Sequence, residues 1–298
     1  MRHLLTLLSL LAAASPAAAG LTVFTCEPEW AALAEELGGE QVEVYSATTA
    51  RQDPHHIQAR PSLIAKVRRA DLVVCSGAEL EVGWLPMLLR QARNPVVLPW
   101  RPGHFEASSF IKRLAIPAEL DRSEGDLHAA GNPHVHLDPR RVAIIAEALA
   151  GRLSERDPDH ADHYRRRHED FARRWQQAIA RWEQQAAPLR GVRAVVHHKD
   201  WVYLFDWLGM VEAGALEPKP GLPTSPGHLA TLKQELERQP AAMILHTAYQ
   251  SDRAAQRLSA MHGIPVLKLP YTVGGSERAA DLFALFDETI ERLLAAAR

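Results

Sequence analysis

The sequence predicts an α/β protein of two lobes, each a mostly parallel sheet flanked by helices, joined by a long rigid backbone helix. Three observations carry this. Short apolar runs alternate with helical stretches over residues 21–98, the pattern of a parallel sheet covered on both faces. From Pro158 to about Ala187, apolar or aromatic side chains recur every three or four residues on a highly charged stretch. The alternation then resumes after Gly191.

The elements follow in order. Residues 21–25 read as a strand. A helix over 27–37 has Pro28 in its first turn and ends at Gly38 and Gly39. A strand over 42–45, a short helix over 61–69, a continuous apolar strand over 71–75, a helix over 80–92 and a strand over 95–98 complete the first unit. Residues 101–131 are the least regular. Within them, 121–131 is polar and carries His128, the pattern of a mobile surface loop. A helix over 139–153 begins at its proline. The next opens at Pro158, with Ala161, Tyr164, Phe171, Trp175, Ala178, Trp182 and Ala186 on one stripe. At 1.5 Å per residue its roughly thirty residues span about 45 Å, more than one lobe needs, so it is expected to bridge two. Strands over 194–197, 210–213, 242–246 and 265–269 then alternate with helices over 201–208, 228–239, 252–262 and 276–297.

The first nineteen residues lie outside this pattern. Arg2 and His3 form a basic start, 4–14 is apolar, and Ala17 and Ala19 occupy the −3 and −1 positions of a cleavage site before Gly20. That is a secretory signal peptide, and its apolar run is too short for a mature membrane span. Cys26 lacks the small-residue context of a lipoprotein cleavage site, so the expected product is a soluble export. The expected parts are a signal peptide (1–19), an N-terminal lobe (20–157), a linking helix (158–188) and a C-terminal lobe (189–298). Cys26 and Cys75 each follow a strand-like run. They meet in a disulfide if those strands are neighbours, and otherwise remain buried thiols.

A formal net charge of −2 gives no global field for a nucleic-acid partner. Histidine is the unusual residue, at 15. Three segments place histidines at expected carboxyl ends of strands or just before a helix, where ligand sites of open α/β sheets lie. They are Asp53-Pro54-His55-His56, Asn132-Pro133-His134-Val135-His136 and His197-His198. Pro54 and Pro133 stiffen the turns ahead of their histidines. Neutral imidazole is a good zinc ligand. Each segment alone is also what a solvated loop looks like; their joint occurrence in an exported chain points to a metal.

These residues, with Pro61, Ala70-Asp71-Leu72-Val73-Val74, Gly77-Ala78-Glu79-Leu80-Glu81, Trp84-Leu85, Leu137-Asp138-Pro139, Tyr203 and Gly209, resemble the zinc- and manganese-type solute-binding proteins of metal ABC transporters. The resemblance covers essentially the whole mature chain. It implies metal ligands at His55, after Asp-Pro; at His134, after Asn-Pro; and at His198, five residues before Tyr203 and eleven before Gly209. His56, His136 and His197 are then their neighbours. The family's fourth ligand is an aspartate after the last strand, but here that stretch reads Lys268-Leu269-Pro270-Tyr271-Thr272-Val273-Gly274-Gly275, without an acid. Asp281 is the expected replacement, with Glu277 or a water as alternatives. His136 stands where the family commonly has tryptophan, and His246 where it often has an acid.

A histidine at the third position implies the zinc-type subclass, because three imidazoles and a carboxylate suit Zn2+ better than the harder Mn2+; Cu2+ is also a possible guest. The implied protein is a monomer without enzymatic activity. It captures Zn2+ in the cleft between lobes and delivers it to a membrane ABC permease. The 121–131 loop would take zinc from a periplasmic donor chaperone, or serve only as a connector. Two rivals share these features: a binder of siderophores or corrinoids on the same two-lobe plan, and a zinc hydrolase. The sequence lacks the His-Glu-x-x-His and Gly-x-Ser-x-Gly motifs of two hydrolase classes.

Overall fold

The structure is a computed structural model, and it describes residues 20–117 and 128–298. The expected signal peptide, and the loop's residues 121–127, lie outside the described residues. No helix among those described is long and apolar enough to cross a membrane.

Two four-stranded parallel sheets form the two lobes. The first contains β1 (Leu21–Thr25), β2 (Val42–Ser46), β3 (Leu72–Cys75) and β4 (His104–Glu106) in the order β2-β1-β3-β4. The second contains β5 (Arg193–Val196), β6 (Val211–Ala215), β7 (Met243–His246) and β8 (Val266–Lys268) in the order β6-β5-β7-β8. Every pairing is parallel. In each sheet the strand order reverses between the two central strands, which opens a crevice at their carboxyl ends.

The central strands are apolar throughout because both faces are covered, and their period-two alternation decides which side each residue serves. Val23, Leu72 and Val74 face the same core as Ala194, Val196, Met243 and Leu245 of the other sheet. Phe24, Val73 and Cys75 face outward onto α2 (Pro61–Arg69) and α3 (Leu85–Ala92). Val195 and Ile244 face outward onto α7 (Pro226–Arg238) and α8 (Arg253–His262). One apolar core therefore runs through both lobes.

The long helix fills the middle of that core. A short 3-10 turn, Pro158–His160, leads into α5 (Ala161–Ala186), 26 residues and about 39 Å at 1.5 Å per residue. Tyr164, Phe171, Trp175, Ala178, Ile179, Trp182 and Ala186 form its buried stripe. It packs on α1 (Pro28–Gly38), α4 (Pro139–Arg156) and α9 (Leu282–Ala296). The indole N–H groups are satisfied, Trp175 donating to the Pro139 carbonyl at 2.8 Å and Trp182 to Asp287 at 2.6 Å. The remaining helix, α6 (Val202–Leu208), follows β5.

Several elements differ from the sequence reading. Residues 95–97 form a 3-10 turn, and the fourth strand is β4 within the stretch read as irregular. The helix expected over 80–92 begins only at Leu85. Gly77, Ala78 and Glu79 all take positive φ, and the Glu81 carboxylate accepts from the Ser76 amide at 2.8 Å, so 77–84 is a turn. The final helix starts at Leu282 rather than Ser276. The Ser276 hydroxyl accepts from the Arg278 and Ala279 amides in the preceding loop. Cys26 and Cys75 form a disulfide, at ends of the neighbouring strands β1 and β3, with a Cα–Cα distance of 4.8 Å.

Candidate metal centre

Each of the three sequence-identified histidines sits in a braced turn. His55 lies in the loop after β2. The Asp53 carboxylate accepts from the His55 amide at 3.0 Å and contacts its Nδ1 at 2.7 Å. Trp84 donates to the Pro54 carbonyl at 2.8 Å and fastens that loop to the first lobe. His134 precedes α4, and its amide donates to the Asn132 side chain at 3.0 Å. Asn132 in turn reaches the other lobe, donating to the Lys199 carbonyl at 2.8 Å and accepting from the Tyr203 hydroxyl at 2.8 Å. His198 follows β5, with Nδ1 at 2.7 Å from Glu217 Oε2, an oxygen that also accepts from the Gly221 amide at 2.9 Å.

The His134 ring is fixed from the C-terminal lobe as well. The Tyr271 hydroxyl lies 2.5 Å from His134 Nδ1. All three rings are thus held at Nδ1, by a carboxylate, a phenol and a carboxylate respectively. This leaves Nε2 of each as the atom available to a cation, the arrangement expected of metal-binding histidines. One potential ligand atom from each of His55, His134 and His198 lies within 4.8 Å of the others. Their ring centroids are 5.5, 5.6 and 6.1 Å apart. His55 comes from the first lobe, His134 from its junction and His198 from the second.

Two further groups stand at the site. His128 Nε2 lies 3.3 Å from His55 Nε2, and the turn carrying it is tied to the first lobe where Ala130 donates to Glu79 at 3.4 Å. Asp200, fully buried, places Oδ1 at 3.5 Å from His134 Nε2. That nitrogen has no hydrogen-bond partner although it is inaccessible to solvent.

The electrostatics divide the rings. Burial, then the neighbouring His55 and His198, push His134 well below the ordinary histidine range. The same causes push His128 down to about 3. Burial also pushes His198 down, but Asp200, Glu217 and Asp53 outweigh it and hold this ring up at about 9. Neutral His134 and His128 are ready donors; His198 must give up a proton to ligate.

Asp281 does not join the cluster. It is exposed and serves as N-cap of α9, its carboxylate accepting from the Ala284 amide at 2.8 Å. The sequence reading placed it near the start of a final helix running from Ser276; because the helix begins only at Leu282, Asp281 is its cap. Glu277 is exposed in the loop before it. His136 lies behind Tyr271, with Nε2 donating to the Tyr271 carbonyl at 3.0 Å and Nδ1 at 3.1 Å from Glu29. His197 approaches Glu217 at 3.8 Å, and His246 bonds the Thr247 carbonyl at 3.0 Å. His56 lines the cleft beside His55, together with Asp53, His198, Glu217, Tyr249 and Gln250.

Sequence reasoning missed Asp200, Glu217 and Tyr271. Asp200 follows His198 by two residues, and Glu217 follows β6 by two, so both lay at carboxyl ends of strands where acids merited attention. Tyr271 belongs to the very stretch read as lacking a ligand. It supplies a hydroxyl to a histidine where an acid was sought.

The family described as zinc-uptake complex component A, periplasmic, matches residues 23–296. Among curated relatives, the metal ABC transporter substrate-binding lipoprotein SloC of Streptococcus mutans is 22% identical over 275 residues, covering 90% of this chain and 87% of its own length. The manganese ABC transporter substrate-binding lipoprotein PsaA of Streptococcus pneumoniae is 22% identical over 261 residues, covering 85% and 80%. A crystal structure of ZnuA superposes with a TM-score of 0.75 at 21% identity, covering 92% of this chain and 99% of that one. A manganese-bound periplasmic metal-binding protein from Candidatus Liberibacter asiaticus superposes with a TM-score of 0.75 at 16% identity, covering 93% and 100%. The solved structures share the two-lobe fold.

Proposed function

Because the chain belongs to the zinc-uptake complex component A family of metal ABC transporter substrate-binding proteins, we propose that it captures Zn2+ between its lobes and delivers it to a membrane ABC permease. The observation that carries this reading is the convergence of His55, His134 and His198, from both halves of the chain, to within 4.8 Å. Three imidazoles are a borderline-soft donor set, which favours Zn2+ over the harder Mn2+. The manganese named for one relative makes Mn2+ the competitor to test.

In this reading residues 1–19 are a cleaved signal peptide and the mature protein works in the periplasm. The N-terminal lobe (20–157) and C-terminal lobe (189–298) each contribute donors, and the 158–188 helix holds them in register. His128, on the loop at the mouth, hands incoming zinc from a donor chaperone to His55. The protein acts as a monomeric carrier and not as an enzyme. The cleft beside His55 and His198 has a volume of about 170 Å3. That is below the roughly 300–1,000 Å3 of sites for larger organic ligands. It suits an ion, and it disfavours a siderophore or corrinoid.

Metal titration tests the reading. The wild type is expected to bind one Zn2+ far more tightly than Mn2+, and His55→Ala, His134→Ala and His198→Ala each to lose at least 100-fold in affinity, with no ester or peptide hydrolysis. A wild type that prefers Mn2+ would overturn the zinc assignment. Variants that bind zinc as the wild type does would overturn the site.

A further inference from the structure

We infer that Asp200 is the carboxylate that closes the coordination shell around the cargo ion, with its Oδ1 as a direct ligand beside His55, His134 and His198. The inference rests on the metal-binding reading above and deepens it.

Four of the acids at or expected at the site separate by what they face. Asp53 and Glu217 are turned to the Nδ1 atoms of His55 and His198. Each braces its ring at Nδ1 rather than at the inward Nε2. Asp281 caps a helix. Asp200 differs: its Oδ1 faces Nε2 of His134, the inward nitrogen. It reaches there because the chain turns sharply after His198, in the 3-10 turn Lys199–Trp201, and folds the Asp200 side chain beneath the cluster, out of solvent.

The separation is that of two ligands. Zinc holds nitrogen and carboxylate oxygen at about 2.0–2.2 Å, so neighbouring corners of a tetrahedron lie roughly 3.3–3.5 Å apart. His134 Nε2 and Asp200 Oδ1 are 3.5 Å apart. They do not form a hydrogen bond, and His134 Nε2 has no other partner. A fully buried nitrogen without a partner and a fully buried carboxylate oxygen, side by side and not bonded to each other, are placed to share one cation between them.

The rest of Asp200 is prepared for that role. Gln250 Nε2 donates to Oδ2 at 2.8 Å and the Tyr249 hydroxyl to Oδ1 at 3.3 Å. Both partners are neutral, so they fix the carboxylate's orientation without cancelling its charge. A ligating carboxylate braced by neutral donors is the usual outer-shell arrangement. Oδ1 retains a lone pair beside His134 Nε2. Three imidazoles and one carboxylate then fill four positions with protein atoms, which leaves no place for a hydrolytic water.

The experiment compares Asp200→Asn, His128→Ala and Asp281→Ala with the wild type. It uses zinc competition titrations and the visible spectrum of the Co2+ form, which reports ligand type and number. Melting of the metal-free proteins shows that each variant folds. Asp200→Asn is expected to lose 100-fold or more in zinc affinity and to shift the Co2+ bands, because an amide oxygen is a poorer ligand than a carboxylate. Asp281→Ala, which alters only an exposed helix cap, is expected to keep the wild-type spectrum. A bracing residue would weaken binding by about 10–100-fold with the bands unmoved, so unmoved Co2+ bands in Asp200→Asn overturn the inference. A shift in His128→Ala in their place assigns the fourth corner to histidine and overturns it too. A wild type that takes up neither Zn2+ nor Co2+ defeats the underlying reading instead.

Discussion

The Tyr271 hydroxyl lies 2.5 Å from Nδ1 of His134, and the Tyr271 carbonyl accepts from His136 Nε2 at 3.0 Å. One residue of the second lobe thus clasps two histidines of the first across the cleft. When His134 Nε2 carries metal its Nδ1 is protonated and donates to Tyr271, so the phenol sets both tautomer and ring angle. Tyr271→Phe removes that bond and keeps the ring, which packs edge-on to His134, His136 and Trp201. Zinc affinity is expected to fall about 10–100-fold with the Co2+ spectrum preserved. A chromophoric chelator competition measures it, and unchanged affinity would show that Asn132 alone suffices to aim His134.

Proton release should report His198. This ring is held up at about 9, so it is protonated at pH 7.5 and must lose that proton to ligate, whereas His134 and His128 lie far below and have none to give. Raising the pH from 7 towards 9 removes the competing proton, so zinc affinity is expected to rise by about tenfold per unit and to level off above 9. Calorimetry at pH 7.5 in buffers of different ionisation enthalpy should give about one proton released per zinc. Glu217→Gln weakens the hold on that proton and should lower the count. Release of three protons would contradict the division between these rings.

The sequence displayed the architecture well because both of its signals are local. Apolar runs such as Leu72–Cys75 mark strands covered on two faces, and the Tyr164-to-Ala186 stripe marks a long helix. His55 and His134 were visible through their prolines, and His198 through its distance to Tyr203. What stayed hidden depends on contacts between distant residues. Glu217 is 19 residues from the ring it braces, and Tyr271 is 137 from His134. The misplaced Asp281 turned on a helix start that Gly274, Gly275 and the Ser276 side chain set, which apolar periodicity does not register. The edge strand β4 is three residues long, too short to show a period.

The disulfide should carry a measurable share of the first lobe's stability. It joins Cys26, just past β1, to Cys75 at the end of the adjacent β3, 49 residues apart. Closing a loop of that length removes about 4 kcal/mol of unfolded-chain entropy in the simplest treatment. Cys26→Ser with Cys75→Ser is expected to unfold at a lower denaturant concentration, by about 2–4 kcal/mol. It should leave zinc stoichiometry unchanged, because neither cysteine touches the histidine cluster. Denaturant titrations of the metal-free proteins check the first expectation, and elemental analysis the second.

Beside the disulfide, two buried carboxylates share a pocket, and their cost should depend on pH. Glu27 bonds Ser76, Glu81 accepts from the Ser76 and Gly77 amides, and both are nearly free of solvent. Burial first, then the charge of Glu81, pushes Glu27 well above the ordinary range; burial pushes Glu81 up to about 7 despite the amides that favour its charged form. In the unfolded chain both titrate near 4.3. The folded state therefore binds protons more tightly, and the stability this contributes is present below about pH 4.3 and lost as pH rises through 7. Glu27→Gln keeps the shape, bonds Ser76 through its carbonyl and offers Glu81 an N–H at every pH, so it mimics the protonated pair. In thermal melts with chelator present, the variant is expected to match the wild type at pH 5 and to melt several degrees higher at pH 8. Taking the difference between variant and wild type at each pH removes the opposite trend of His134 and His128, whose lowered values make folding more favourable as pH rises through about 6.5. A gap that is the same at pH 5 and pH 8 would mean that the pair does not hold a proton in the folded state.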